Sequence, residues 1–247
     1  MTKGKNLTAI ESAWFAEAPR FNAMSGMQRL LSGDLTVAHY QSLLREIYFY
    51  ARESPPFFAA ILIHLRGAQR EYIKKMLQHA SSETGHDELA LADLRALGVH
   101  TDNTPNERPL PATSALIGFS FYLIQYLNPV SYLGFVFHLE YLPTHFGQQY
   151  AQGFLQADVP MNAMSFLLEH TEADVGHNLL MADYVEHLLL NQRDVDDTIY
   201  AMQVTSVLFA NLVEAAFRRV DEGDTRDYGL NQAEFAANNV KQHEMTA

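Results

Sequence analysis

A chain of 247 residues, 48% of them hydrophobic, is long enough to bury a sizeable core as one large domain or two small ones. Its 17 Lys and Arg against 29 Asp and Glu give a formal charge of -12, which argues against nucleic acid or an anionic membrane as partner, because neutralising phosphates takes clustered basic side chains. The absence of cysteine excludes disulfides, iron–sulfur clusters, thiolate zinc sites and a Cys nucleophile, so any metal here is held through N and O.

Strand signals are nearly absent, and apolar residues recur at helical spacing along most of the chain, which predicts an all-α protein. The polar start, Met1 to Asn6, predicts no signal peptide and leaves the cytoplasm as the default. Short helices are expected over 7–17 and 22–31, separated at Pro19. Thr36 caps a helix from Val37 to about Glu53, stopped by Ser54-Pro55-Pro56. Pro56 starts the next, to about Arg66, and a long helix runs from about Ala68 to Leu97, where Gly98 ends it. After an Asn- and Pro-rich loop at 101–111, the stretch 109–137 carries no Asp, Glu, Lys or Arg. Asn128-Pro129 splits it, so it reads as two buried helices rather than a membrane span. Long helices follow over about 162–190 and 195–220. With no linker tract, residues 1–247 read as one domain, with irregular tails at about 1–6 and 223–247.

Two stretches 91 residues apart share one pattern: His79-x3-Glu83-x-Gly-His86 and His170-x3-Asp174-x-Gly-His177. Positions i, i+4 and i+7 fall on one face of a helix, so each stretch is expected to present two imidazoles and a carboxylate along one stripe. With 11 His and 29 acidic residues, one such pattern arises by accident roughly 0.06 times per chain, and a pair far more rarely. The bland alternative is two polar helix faces that hydrogen-bond to each other, which buries several ionisable groups without a cation at considerable cost.

Dinuclear sites in helical bundles draw a Glu from each of two helices and a Glu-x-x-His pair from each of two others. Glu83-x-x-His86 and Asp174-x-x-His177 match the pairs, and a faint internal repeat points to Glu46 and Glu140, on the preceding helices, as the single carboxylates. Glu46 has a rival in Glu53 and could instead pair with Arg45 or Arg52. His79 either ligates or supports a ligating carboxylate. Gly85 and Gly176 precede the ligand histidines, where a helical Gly costs about 1 kcal/mol relative to Ala, offset by close backbone approach or room beside a metal. Pro143 is placed to open a pocket one turn past Glu140, and the aromatics around 119–122 and 135–137 either wall it or, as such stripes more often do, pack as plain core. His138, His145, His39, His64, His100, His187 and His243 read as ordinary structural or surface residues. A sulfur-free set of carboxylates and imidazoles suits iron or manganese better than structural zinc.

This combination, Glu46, Glu83-x2-His86, Glu140 and His170-x3-Asp174-x2-His177, resembles the heme-oxygenase-like diiron oxidases and oxygenases, in the superfamily that includes heme oxygenase, the TenA thiaminases and the pyrroloquinoline quinone synthase PqqC. The resemblance spans roughly 30–215. It implies a single bundle of about seven helices, two Fe ions (or Mn), dioxygen as co-substrate and oxidation of a small organic molecule. Some family members place a Glu where this chain has His79. A thiaminase-like Cys nucleophile is excluded. The competing expectation is a metal-, heme- or small-molecule-binding protein without turnover. A homodimer would be unsurprising for a bundle with such apolar helices; substrate identity is left open.

Overall fold

The computed structural model describes residues 4–224, apart from the side chains of 172–175. These residues form ten α-helices and no strand: α1 Lys5–Asn22, α2 Ser25–Ser32, α3 Val37–Ala51, α4 Ser54–Leu62, α5 Ile73–Ser82, α6 His86–Ala96, α7 Pro111–Tyr122, α8 Tyr132–Gln156, α9 Ser165–Leu188 and α10 Gln192–Asp221. The all-α bundle is as expected, with two boundary corrections. α1 begins at Lys5, inside the expected tail, and runs through Pro19, because Trp14, Ala18 and Phe21 are buried and hold the last turns in place. The long helix expected over 68–97 is instead a 3-10 turn at Gly67–Tyr72 followed by α5 and α6. The expected tail beyond residue 224 lies outside the described residues.

α10 and α8 are the centre of the bundle. α8 lies along α9 and α10, while α10 also packs on α1, α2, α3 and α7; α6 bridges α3 to α9, and α4 packs on α5. Close approach explains two glycines of α8. A Cβ at Gly134 would collide with the backbone of Thr198 and Met202 on α10, and one at Gly153 with the carbonyl of Leu30 on α2. By length and composition α10 could cross a membrane, but 44% of its apolar window is buried, among its own Ala201, Met202, Val213 and Phe217. The uncharged stretch 109–137 is interrupted: α7 passes into a π turn at Leu123–Leu127, and Asn128, extended as a residue before proline must be, starts a new direction. Asn128 then donates to Asp194 and Asp197 at the start of α10, 3.0 Å each.

Candidate metal centre

Four elements bring the motif residues together: the end of α5, the start of α6, the middle of α8 and the middle of α9. Gly85 arranges the first two. It adopts φ 98°, a left-handed conformation that L side chains rarely take, so α5 stops at Ser82 and α6 restarts at His86. Glu83 therefore sits in the turn between two helices rather than midway along one. Gly176 is different: it lies within continuous α9, with open space where a Cβ would go.

The turn lets the two oxygens of Glu83 face different groups. Oε1 lies 3.8 Å from His79 Nε2 and 3.5 Å from His177 Nδ1, whereas Oε2 lies 3.5 Å from His86 Nδ1. Glu140, from α8, completes the first group, with Oε1 3.2 Å from His79 Nε2 and Oε2 3.1 Å from His177 Nδ1. His170 completes the second, its ring edge-on to His86 with centroids 4.7 Å apart. Ligand atoms of His79, Glu83, Glu140 and His177 all lie within 4.8 Å of one another, as do those of Glu83, His86 and His170. Donor–metal distances of about 2.1 Å place neighbouring ligand atoms roughly 3 Å apart and opposite ones about 4.2 Å apart, so both groups have cation-sized spacing. Glu83 belongs to both.

The donors also fit a metal chemically. Glu83 Oε1 and His86 Nδ1 are buried without a hydrogen-bond partner, a costly arrangement that a cation would relieve. His170 Nδ1 donates to the Phe166 carbonyl at 2.6 Å, which fixes the tautomer and leaves Nε2 as the free donor. Burial raises the Glu140 pKa, but hydrogen bonds from His177 and His79 outweigh it and hold the carboxyl well below the usual range. The facing Glu83 carboxylate raises His86, while burial lowers His170. Ring packing fixes His79 between Phe58, at 4.6 Å, and His177, at 4.5 Å.

The expected ligands divide as follows. His79, Glu83, His86, Glu140, His170 and His177 are brought together. Asp174 is on α9 between His170 and His177, but its side chain lies outside the described residues. Glu46 is not brought to the group. It is fully buried, with Oε1 accepting from Arg45 at 2.6 Å and Oε2 from Leu110 N at 2.9 Å and Thr113 Oγ1 at 2.6 Å, so it ties α3 to the loop before α7. Burial raises its pKa, offset in part by those same partners. Glu53 is no substitute; it pairs with Arg52 at 3.3 Å. Of the two carboxylates to which the internal repeat points, Glu140 lies in the cluster and Glu46 lies apart from it.

A cavity of about 140 Å³ opens beside the cluster. Glu83, His86, Glu140 and His170 form its polar end, and Leu43, Ile47, Phe135, Val136, Phe154 and Val213 much of its apolar wall. Pro143 lines it, as do Phe135 and Val136. The aromatics at 119–122 do not: Phe119 packs on Tyr200, Phe121 on Phe57, and Tyr122 is 48% exposed. Two residues were missed by sequence reasoning. Tyr132 lines the cavity next to the carboxylates. Asp93, on α6, caps α9 by accepting from Ser165 N at 2.9 Å, Ser165 Oγ at 2.6 Å and Phe166 N at 2.9 Å. A carboxylate on a stripe with Ala90 and Leu94 was the available signal for Asp93, the same one that identifies Glu140. The histidines set aside behave as structural residues where described: His138 is fully buried edge-on to Phe21, His145 stacks on Tyr141, and His39 pairs with Asp221 at 2.9 Å.

The model of a family described as iron-containing redox enzymes matches residues 41–208, more than half of the chain and all of the cluster. The chain belongs to that family. Among solved structures, a domain of unknown function with a heme oxygenase-like fold from Shewanella denitrificans OS217 is 22% identical, with a TM-score of 0.77 over 88% of this chain and 93% of that one. A TenA homologue from P. horikoshii OT3 is 12% identical, with a TM-score of 0.67 over 87% and 97%. A CADD-like protein of unknown function from Nostoc punctiforme PCC 73102 is 18% identical, with a TM-score of 0.61 over 87% and 100%. These likenesses establish the heme oxygenase-like fold of the family member. No curated protein matches the chain by sequence.

Proposed function

We propose that this chain is a non-heme diiron enzyme that uses dioxygen to oxidise a small organic molecule. The observation that carries the reading is Glu83, whose two oxygens face two separate sets of N and O donors from a single turn. His79, Glu83, Glu140 and His177 would hold one iron, and Glu83, His86 and His170, with Asp174, the other. Iron held there would supply the electrons that reduce dioxygen.

The protein's own contribution is positioning and exclusion of water. Glu140 stays ionised at neutral pH through its two histidine partners, which keeps it a ligand rather than a proton donor. His170 is held in one tautomer by Phe166. The cavity brings an apolar molecule against the open side of the donors, where low local polarity strengthens every electrostatic contact. Alanine at His170 or His177 is expected to abolish iron retention and turnover while helicity is kept; full activity in either variant would refute the proposal.

The TenA-titled neighbours share the fold, so the fold alone does not call for redox chemistry, and a binding protein without turnover is the competing reading. A metal site unchanged when the reduced protein meets dioxygen would favour that reading.

A further inference from the structure

α10 has α1, α2, α3, α7 and α8 packed against it, yet it keeps one stripe exposed along its length. Asp196, Tyr200, Gln203, Val207, Asn211 and Arg218 are exposed, with Glu214 half-buried between the last two. At 3.6 residues per turn all of them lie within roughly 40° of Val207. From Thr198 to Val213 the helix carries no Asp, Glu, Lys or Arg. Phe119 of α7 packs on Tyr200, so the uncharged surface continues onto α7, where Tyr122 is 48% exposed and Tyr126, in the π turn, 79%. In a chain of formal charge -12, a neutral surface of this extent is a place where a second copy meets little like charge.

The two ends of the stripe complement each other about its middle. Asp196 and Arg218 each lie 11 residues from Val207, Tyr200 and Glu214 each seven, and Gln203 and Asn211 each four. Turning α10 end over end about Val207 sets Asp196 against Arg218 of the second copy, the Tyr200 phenol against Glu214 and the Gln203 amide against Asn211, with Val207 against itself. Antiparallel packing also brings opposite ends of the helix dipole together. The two ionic partners contact exposed neighbours one turn away within the chain: Gln192 donates to Asp196 at 2.9 Å, and Arg218 lies 3.6 Å from Glu222. Glu214 accepts from Ser25 Oγ at 2.6 Å through Oε2. From Asp196 to Arg218 the stripe is about 33 Å long, so it must be about 25 Å wide to bury the roughly 800 Å² per partner of a standard interface, close to the width of α10 and α7 together. We infer that this stripe is the seam of a two-fold dimer in which α10 packs antiparallel on α10 of a second copy, centred on Val207.

Sedimentation velocity of the full chain, from about 1 to 100 µM, is expected to show a species of twice 27.9 kDa in the upper part of that range. Val207→Arg sets two like charges against each other at the axis and should weaken association about a hundredfold or more. Asp196→Arg or Arg218→Asp alone should weaken it about tenfold, because the axis repeats each contact. The double variant Asp196→Arg/Arg218→Asp exchanges the signs and should recover most of that loss. As the chain has no cysteine, Val207→Cys supplies a single thiol, and oxidation should link two copies through it. Leu77→Cys, on α5 and 52% exposed in the parent residue, is the control that stays unlinked. None of the seam residues belongs to the metal cluster or lines the cavity, so helicity and iron uptake are expected to be unchanged in every variant. A wild-type chain that is monomeric at about 100 µM, a dimer indifferent to Val207→Arg, a double variant weaker than both single ones, or linkage through Leu77→Cys as ready as through Val207→Cys overturns the inference.

Discussion

The two motif glycines occupy the same place in the sequence pattern, yet alanine at each is expected to shift stability in opposite directions. Gly85 has φ 98° and ψ -5°, with nothing within 4 Å of the position a Cβ would take, so the cost of Gly85→Ala is backbone strain alone, roughly 1–3 kcal/mol. Gly176 is inside α9 and also has open space around it, so Gly176→Ala gains helix propensity of about 0.5–1 kcal/mol. For a chain of this size each kcal/mol moves the midpoint by about 2–4 °C. Thermal unfolding of the metal-free proteins, followed by circular dichroism, should show Gly85→Ala roughly 2–12 °C below wild type and Gly176→Ala about 1–4 °C above it. Iron uptake should fall only in Gly85→Ala, because that turn aims Glu83 and His86. Shifts of the same sign, or a Gly85→Ala protein as stable as wild type, would refute the assignment of a helix break at the first motif.

Asp93→Ala removes the acceptor for two backbone N–H groups at the start of α9 and should cost about 1–3 kcal/mol in urea unfolding, with weaker iron binding because α9 carries His170 and His177. Glu46→Gln should leave the iron content of the protein unchanged, as its carboxylate serves Arg45, Leu110 and Thr113; loss of iron would restore Glu46 as a ligand. The same variant has a pH signature. Burial raises the folded pKa of Glu46 above its unfolded value, so the stability this group contributes is present below the unfolded pKa and is lost as pH rises through the folded one. Unfolding free energies measured from pH 4 to 7 should therefore fall less steeply toward neutrality in Glu46→Gln than in wild type.

Helical periodicity made the bundle legible, since most long amphipathic segments are helices and the boundaries of α3, α9 and α10 lie within a few residues of expectation. The cluster was legible for a different reason. Imidazoles and carboxylates at repeated spacing are expensive to bury, and Glu140 on an otherwise apolar helix had no cheap alternative. Glu46 looked the same in sequence, but the residues that satisfy it, Leu110 and Thr113, come from a loop and a helix more than 60 positions away. Spacing cannot register such a partner. The break at Gly85 was hidden because a glycine in a helix and a glycine in a left-handed turn are the same letter, and only the fold selects between them. Asp93 and Tyr132 were missed because neither belongs to a repeated pattern; what distinguishes them is the helix start and the cavity that the fold puts beside them.

The central claim is that Glu83 joins two metal positions in one reactive centre. Anaerobic titration with Fe(II), followed by the near-ultraviolet and visible spectrum as oxygen is admitted, tests it most directly. The account predicts about two irons per chain, an absorption change that requires oxygen, and loss of both in Glu83→Ala. A single metal per chain, or a bound pair indifferent to oxygen, would contradict it.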